Sequence, residues 1–292
     1  MQVFYTHWTL PRRVPGARYV FDWPSKACEL LAWALSTTLA ARNVGPVRIV
    51  TDAVGAEELA WIGLPATLSV VLSDETMRPL AAYWTAGKLV TYQTMLTGGP
   101  SVHLDADVFV TRPLPQAFLA STLGVQSVEP LDEPHYAGYY LPTIRALEAA
   151  ITVPSVWKHD RARPLRERPA YNMGVVVAGG WGKRALFDAA ALGLSVLRQA
   201  AEEAPSLPSS NVCVTAEQYV FAAHAREMGV PVTTLLPTPA STPQGNAAAE
   251  QLGYVHLFGD AKRSPVAHAR LVARAKVECP ILAARILQRY PL

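Results

Sequence analysis

Residues 101–110 read SVHLDADVFV, an apolar run with two carboxylates, Asp105 and Asp107, in its middle. Such a run predicts a β-strand, and along a strand the side chains at i and i+2 project to the same face. Two carboxylates forced together repel, and each raises the other's pKa unless a cation lies between them. Oxygen ligands of this kind suit Mg2+ or Mn2+. The same acids could cap a neighbouring turn or pair with an arginine, so the pair alone leaves its chemistry open.

Working outward, residues 83–96 predict a helix, stopped by Gly98-Gly99-Pro100. Upstream, 2–6 reads as a strand, 26–42 as an Ala- and Leu-rich helix, 47–50 as a strand running into Thr51-Asp52, and 68–72 as a further strand. Downstream, 175–177 reads as a buried strand, 184–203 and 216–228 as helices, and 254–258 as a short strand. Residues 266–288 predict an Ala/Arg-rich amphipathic helix, or two helices broken at Pro280. Strands alternating with helices imply an α/β fold with a mixed, mainly parallel sheet flanked by helices, its ligands beyond the carboxyl ends of the strands. Three stretches read as irregular: 128–170, 204–211 and 237–253. The expectation is one domain over 1–292, with 128–170 inserted as an acceptor or lid region and 266–292 as a helical tail.

The chain has 292 residues, 50% hydrophobic and 17% charged, which suits a folded domain with a sizeable core and excludes wholesale disorder. The formal charge of +3 comes without a long Lys/Arg run, so nucleic acid is not required as a partner and a phosphate-bearing small molecule fits as well. Cys28, Cys213 and Cys279 are widely spaced, with no CxxC pair, which points to neither a disulfide framework nor a zinc site. A reducing, cytoplasmic setting is expected. The opening MQVFYTHW reads as a strand and not as a secretory signal. The apolar run over 30–41, interrupted by Ser36, Thr37 and Thr38, is too short to span a bilayer.

Residues 85–110, TAGKLVTYQTMLTGGPSVHLDADVFV, resemble the helix, strand and DxD of family 8-type glycosyltransferases such as glycogenin. Three later elements resemble the same family in order: Asn172-Met173-Gly174-Val175, Glu217-Gln218, and His256-Leu257-Phe258-Gly259-Asp260-Ala261-Lys262. The resemblance implies a GT-A, Rossmann-like fold and a metal site of Asp105, Asp107 and His256 for Mn2+ or Mg2+. It implies donor-binding roles for Lys88, Asp105, Ala106, Asn172, Gly174, Gly259 and Lys262, with Tyr5, Thr6 and Asp52 at the nucleoside end. Catalytic roles fall on Glu217, Gln218 and Asn172. The donor implied is a nucleotide-sugar, most often a UDP-hexose, transferred with retention; the acceptor is left open. The chain departs from the family where Arg263-Ser264 replace its Pro-Trp and where its D-Q pair is Glu217-Gln218.

The chemistry agrees with the resemblance. A nucleoside diphosphate gains charge as it leaves, and a divalent cation with one lysine at the phosphates stabilises it. Three other readings compete. Asp105-Ala106-Asp107 and Gly259-Asp260 also resemble a haloacid-dehalogenase-type phosphohydrolase, although Ser264 stands where that pattern wants an acid. A non-catalytic nucleotide-sugar-binding protein would have no need of the intact acids, histidine and lysine. A sugar-nucleotide-forming nucleotidyltransferase needs a Gly-rich loop after its first strand, which 8–17, WTLPRRVPGA, does not supply. Tyr136, Tyr139, Tyr140, Trp157 and His159 read equally as sugar-stacking groups or as core, while Arg161, Arg163, Arg166 and Arg168 read as a solvated face or a lid. The basic tail around 270–289 reads as a packing helix, with peripheral contact to an anionic membrane as its alternative.

Overall fold

A computed structural model describes residues 1–14, 23–239 and 241–292. Residues 15–17 of the stretch weighed as a nucleotidyltransferase loop, and residue 240, lie outside the described residues.

The described strands are β1 (Gln2–His7), β2 (Val47–Thr51), β3 (Ala66–Val70), β4 (Ser101–Leu104), β5 (Val108–Val110), β6 (Leu123–Glu129), β7 (Ala170–Ala178), β8 (Val232–Thr234) and β9 (Tyr254–His256). Seven form one sheet in the order β3-β2-β1-β4-β7-β6-β8, and β5 pairs with β9 in a separate ribbon. β3, β2, β1 and β4 run parallel, as do β6 and β8, while β7 is antiparallel to β4 and β6. The mixed, mainly parallel sheet is thus as expected.

Alternation along the strands builds two cores. Phe4, Val50, Val125 and Val176 face helices Thr85–Thr94, Gly182–Glu203 and Val220–Glu227. Val3, Tyr5, Ile49, Val175 and Val177 face helix Lys26–Asn43 and the tail helices Pro265–Glu278 and Pro280–Arg289. Tail residues Leu271, Ala275, Ala283 and Ile286 are buried in this second core, while Val277 and Ile281 are exposed. Among the described residues no helix is long and apolar enough to cross a membrane.

Three expectations change. The run 101–110 is not one strand: β4 ends at Leu104, Asp105–Asp107 form a turn, and β5 leaves for the ribbon. Asp105 and Asp107 are therefore neighbours through a turn and not through strand alternation. The stretches read as irregular contain helices Pro134–Ala150, Ser155–Arg161 and Pro243–Leu252 and the start of Ser209–Val214. The helix expected over 216–228 opens with a π-helical segment, Thr215–Tyr219, holding Glu217 and Gln218. Such segments put an extra residue into a turn and are frequent at functional sites.

Candidate active site

Because β7 runs against its neighbours, its first residues meet the carboxyl ends of β1, β4 and β6 at one edge of the sheet. A cavity of about 360 Å3 opens there, within the size range of small-molecule sites. Its lining includes Thr6, Lys88, Asp105, Ala106, Asp107, Asn172, Gly174, Glu217, Gln218, His256, Gly259 and Lys262. Tyr5 and Asp52 are not brought there. The Tyr5 hydroxyl contacts Ser36 inside the core. Asp52 is buried, capping helix Ala53–Ala60 through Gly55 N and accepting from Thr9 and Leu10.

The acidic turn is anchored by its backbone. Asp105 N donates to Gly174 O at 3.0 Å, and Val108 N to Asp105 O at 3.0 Å. The β5–β9 ribbon pairs Val108 with His256, which carries the imidazole to the acids from the far end of the chain. One ligand atom each from Asp105, Asp107 and His256 lies within 4.8 Å of the others.

Two lysines face these acids. Lys88 Nζ lies 2.7 Å from Asp105 Oδ1 and 2.8 Å from Glu217 Oε1, and donates to Met173 O at 2.9 Å. Burial works against the Lys88 charge, but Asp105 and Glu217 outweigh it and hold the ammonium above its ordinary range. Lys262 Nζ lies 2.7 Å from Asp107 Oδ2, and His256 Nε2 lies 3.4 Å from Asp107 Oδ1. Burial raises Asp107, yet the Lys262 ammonium beside it brings its carboxyl far below the usual range. Asp105 and Glu217 are both raised, by burial first and against the pull of Lys88. Three carboxylates thus share two ammonium groups. The remaining negative charge, with an imidazole nitrogen beside it, fits a small hard divalent cation such as Mn2+ or Mg2+.

A second polar group lines the same cavity and was not singled out from the sequence. Glu129, buried at the end of β6, accepts from the Tyr140 hydroxyl and from Asn172 Nδ2, the latter at 3.0 Å. Burial raises its carboxyl despite both bonds. With its amide nitrogen turned toward them, Gln218 donates to Tyr140 Oη at 2.5 Å and to Glu129 Oε2 at 3.0 Å. Gln126, three residues before Glu129, accepts from the Tyr254 hydroxyl at 2.6 Å and faces His256 Nδ1 at 2.7 Å. The signal available was three polar residues, Gln126, Ser127 and Glu129, inside the strand LGVQSVE.

The aromatic residues of 128–170 divide. Tyr136, Tyr139 and Tyr140 line the cavity while packing against the core. Trp157 is wholly buried and bonded to Glu148, and His159 is exposed beside Glu227. Arg161, Arg163, Arg166 and Arg168 do not line the cavity; Arg161 pairs with Glu148 and Arg168 is buried.

Residues 1–289 match the family described as "Family of unknown function (DUF6734)". No curated protein matches the sequence. Among solved structures, the chain is similar to mouse xyloside xylosyltransferase 1 in its apo form. The two share 11% identity over 80% of this chain and 84% of that one, with a TM-score of 0.39. It is also similar to the apo bifunctional glycosyltransferase WbbM, at 10% identity over 99% of this chain, with a TM-score of 0.43; it spans 51% of WbbM. A third is the galactosyltransferase LgtC in complex with donor and acceptor sugar analogues. There the identity is 14% over 95% and 96% of the two chains, with a TM-score of 0.49.

Proposed function

The chain belongs to the DUF6734 family, and we propose that it is a metal-dependent GT-A glycosyltransferase similar to family 8, moving a hexose from a UDP-sugar to an acceptor. The observation that carries this reading is the convergence of Asp105, Asp107 and His256 within 4.8 Å, in a cavity that also holds Lys88 and Lys262. A cation bound by these three side chains would act as a Lewis acid on the diphosphate leaving group. Lys262 stands at the same edge and supplies a further positive charge to the phosphates. Lys88, in the cavity wall, is 5% exposed and bonded on three sides, and it fixes Asp105 and Glu217.

Glu217 offers little as a nucleophile. Its Oε1 is held by Lys88 and by the Tyr92 hydroxyl at 2.9 Å, and the side chain is buried. This supports front-face attack with retention. The acceptor oxygen bonds to the anomeric carbon as the carbon–phosphate oxygen bond breaks, and the acceptor's proton passes to the leaving phosphate oxygen. Glu129, Asn172 and Gln218 then orient the sugar hydroxyls. The phosphohydrolase reading gains no support, since Asp260 is 97% exposed and its carboxylate faces Arg263.

Calorimetric titration with UDP-, GDP- and CMP-sugars, with Mn2+ and with EDTA, tests the reading. Tightest binding of a UDP-hexose, lost in EDTA, is expected, with a product of retained anomeric configuration by NMR. Tighter binding of a GDP- or CMP-sugar overturns the donor, inversion overturns the family likeness, and no donor binding at all overturns the transferase.

A further inference from the structure

We infer that Gln126 is the positioning residue that sets the tautomer of His256, and so decides which imidazole nitrogen is offered to a divalent cation. The inference rests on the metal-site reading above and assigns a role to a residue outside it.

Gln126 lies where the β6–β7 register breaks. Val125 pairs with Val176 and Ser127 with Asn172, so one residue of β6 faces Met173, Gly174 and Val175 of β7. Irregularities of this kind re-aim a side chain out of the ladder. Here the freed backbone is also put to use: Met173 O accepts from Lys88 and Gly174 O from Asp105 N. The Gln126 side chain is wholly buried and turned toward the β9 end, where Tyr254 and His256 meet it.

One arrangement of the hydrogen bonds there turns the amide oxygen toward both partners and, among the described residues, leaves Gln126 Nε2 without one. With the Gln126 carbonyl oxygen turned toward Tyr254 and His256, the Tyr254 hydroxyl donates to it at 2.6 Å. The same oxygen lies 2.7 Å from His256 Nδ1, and a carbonyl oxygen can only accept, so Nδ1 carries the proton. In the neutral ring Nε2 is then left with its lone pair, 3.4 Å from Asp107 Oδ1. Two lone pairs facing each other at that distance favour a cation between them. The residue opposite must be glycine for this to assemble. A Cβ on Gly174 would fall 2.5 Å from both Gln126 Oε1 and His256 Cε1.

Partners that orient a metal-bound histidine commonly change metal affinity by about 10- to 100-fold when removed. Gln126→Met keeps the length of the side chain and loses the acceptor, whereas Gln126→Glu keeps the acceptor. The test combines nitrogen-15 NMR of the His256 ring in the metal-free protein with calorimetric titration of Mn2+ alone. Expected are an Nδ1–H tautomer in the wild type, its loss in Gln126→Met with Mn2+ affinity about 10- to 100-fold weaker, and retention of both properties in Gln126→Glu. An Nε2–H tautomer or an imidazolium in the wild type at pH 7.5 overturns the inference, and that spectrum needs no variant to fold. Unchanged Mn2+ affinity in Gln126→Met overturns the inference and leaves the metal site standing. Failure of the wild type to bind Mn2+ overturns both.

Discussion

Lys262 holds a carboxylate that a cation would also need. Its ammonium is 2.7 Å from Asp107 Oδ2 and 5.9 Å from the centre of the Trp23 ring, and its side chain is largely buried. A charge-assisted hydrogen bond in such a place contributes about 1.5–3 kcal/mol, and a metal must displace it or share Asp107 with a neighbouring positive charge. The lysine therefore opposes the metal when no donor is present, and assists once a diphosphate offers it a new partner. Lys262→Met is expected to bind Mn2+ alone more tightly, by about tenfold for each ~1.4 kcal/mol released, and to bind a UDP-sugar with Mn2+ more weakly. Titration of the metal first and the nucleotide second separates the two effects. Weaker Mn2+ binding by the variant would show that Lys262 supports the acidic turn instead of competing for it.

At the scale of elements, a network of charges clamps the edge of the sheet beside the cavity. His7 at the end of β1 donates to Glu58 of helix Ala53–Ala60 at 3.2 Å, and Lys26 of helix Lys26–Asn43 reaches Glu58 at 3.0 Å. Lys26 also lies 3.3 Å from Glu29, which Arg12 approaches to 2.6 Å. The His7 hydrogen bond and the Lys26 charge outweigh burial and bring the Glu58 carboxyl down from 4.5 to about 2. A carboxyl lowered on folding contributes stability that is fully present above 4.5 and lost as the pH falls toward about 2. Urea unfolding of the wild type and of Glu58→Gln should therefore differ at pH 7 and converge below pH 4.5. A gap of equal size at every pH would mean that the variant acts through packing and not through charge.

The elements also show what could be read from the chain and what could not. Long apolar runs with clear stops were legible, as in β1, β2 and helix Lys26–Asn43. Helices Pro134–Ala150 and Pro243–Leu252 read as irregular because each opens on a proline, and the first contains Pro142 as well. A proline in the first turn removes only an N–H that has no helical partner, so it marks a start and not an absence. The break after Leu104 carries no punctuation, since nothing in VHLDADVFV signals that its second half pairs with residues from the other end of the chain. Asp105, Asp107, His256 and Lys262 were legible as a spaced set. Gln126 and Glu129 were not, because their partners Tyr254, Tyr140 and Gln218 meet them only through the fold.

For the whole molecule, the proposed metal site ties together segments that are far apart in the chain. The β5–β9 ribbon holds the acidic turn to His256 with three paired positions, and Leu257 N adds a bond to Asp107 O at 3.0 Å. A cation bound by Asp105, Asp107 and His256 would cross-link that short ribbon where its own hydrogen bonds are few. Binding to the folded chain alone stabilises it by mass action, by about 2.7 kcal/mol when the ligand is at a hundred times its Kd. For a chain of this length that corresponds to a rise of roughly 5 °C in Tm. Mn2+ at that concentration should give such a rise in the wild type and none in Asp107→Asn, which keeps the size of the side chain and removes its charge. A UDP-sugar added with Mn2+ should raise Tm further than the two ligands do separately, because the diphosphate draws Lys262 from Asp107 as the metal binds. An equal rise in Asp107→Asn would place the metal elsewhere on the molecule, and strictly additive shifts would remove the coupling between Lys262 and the donor.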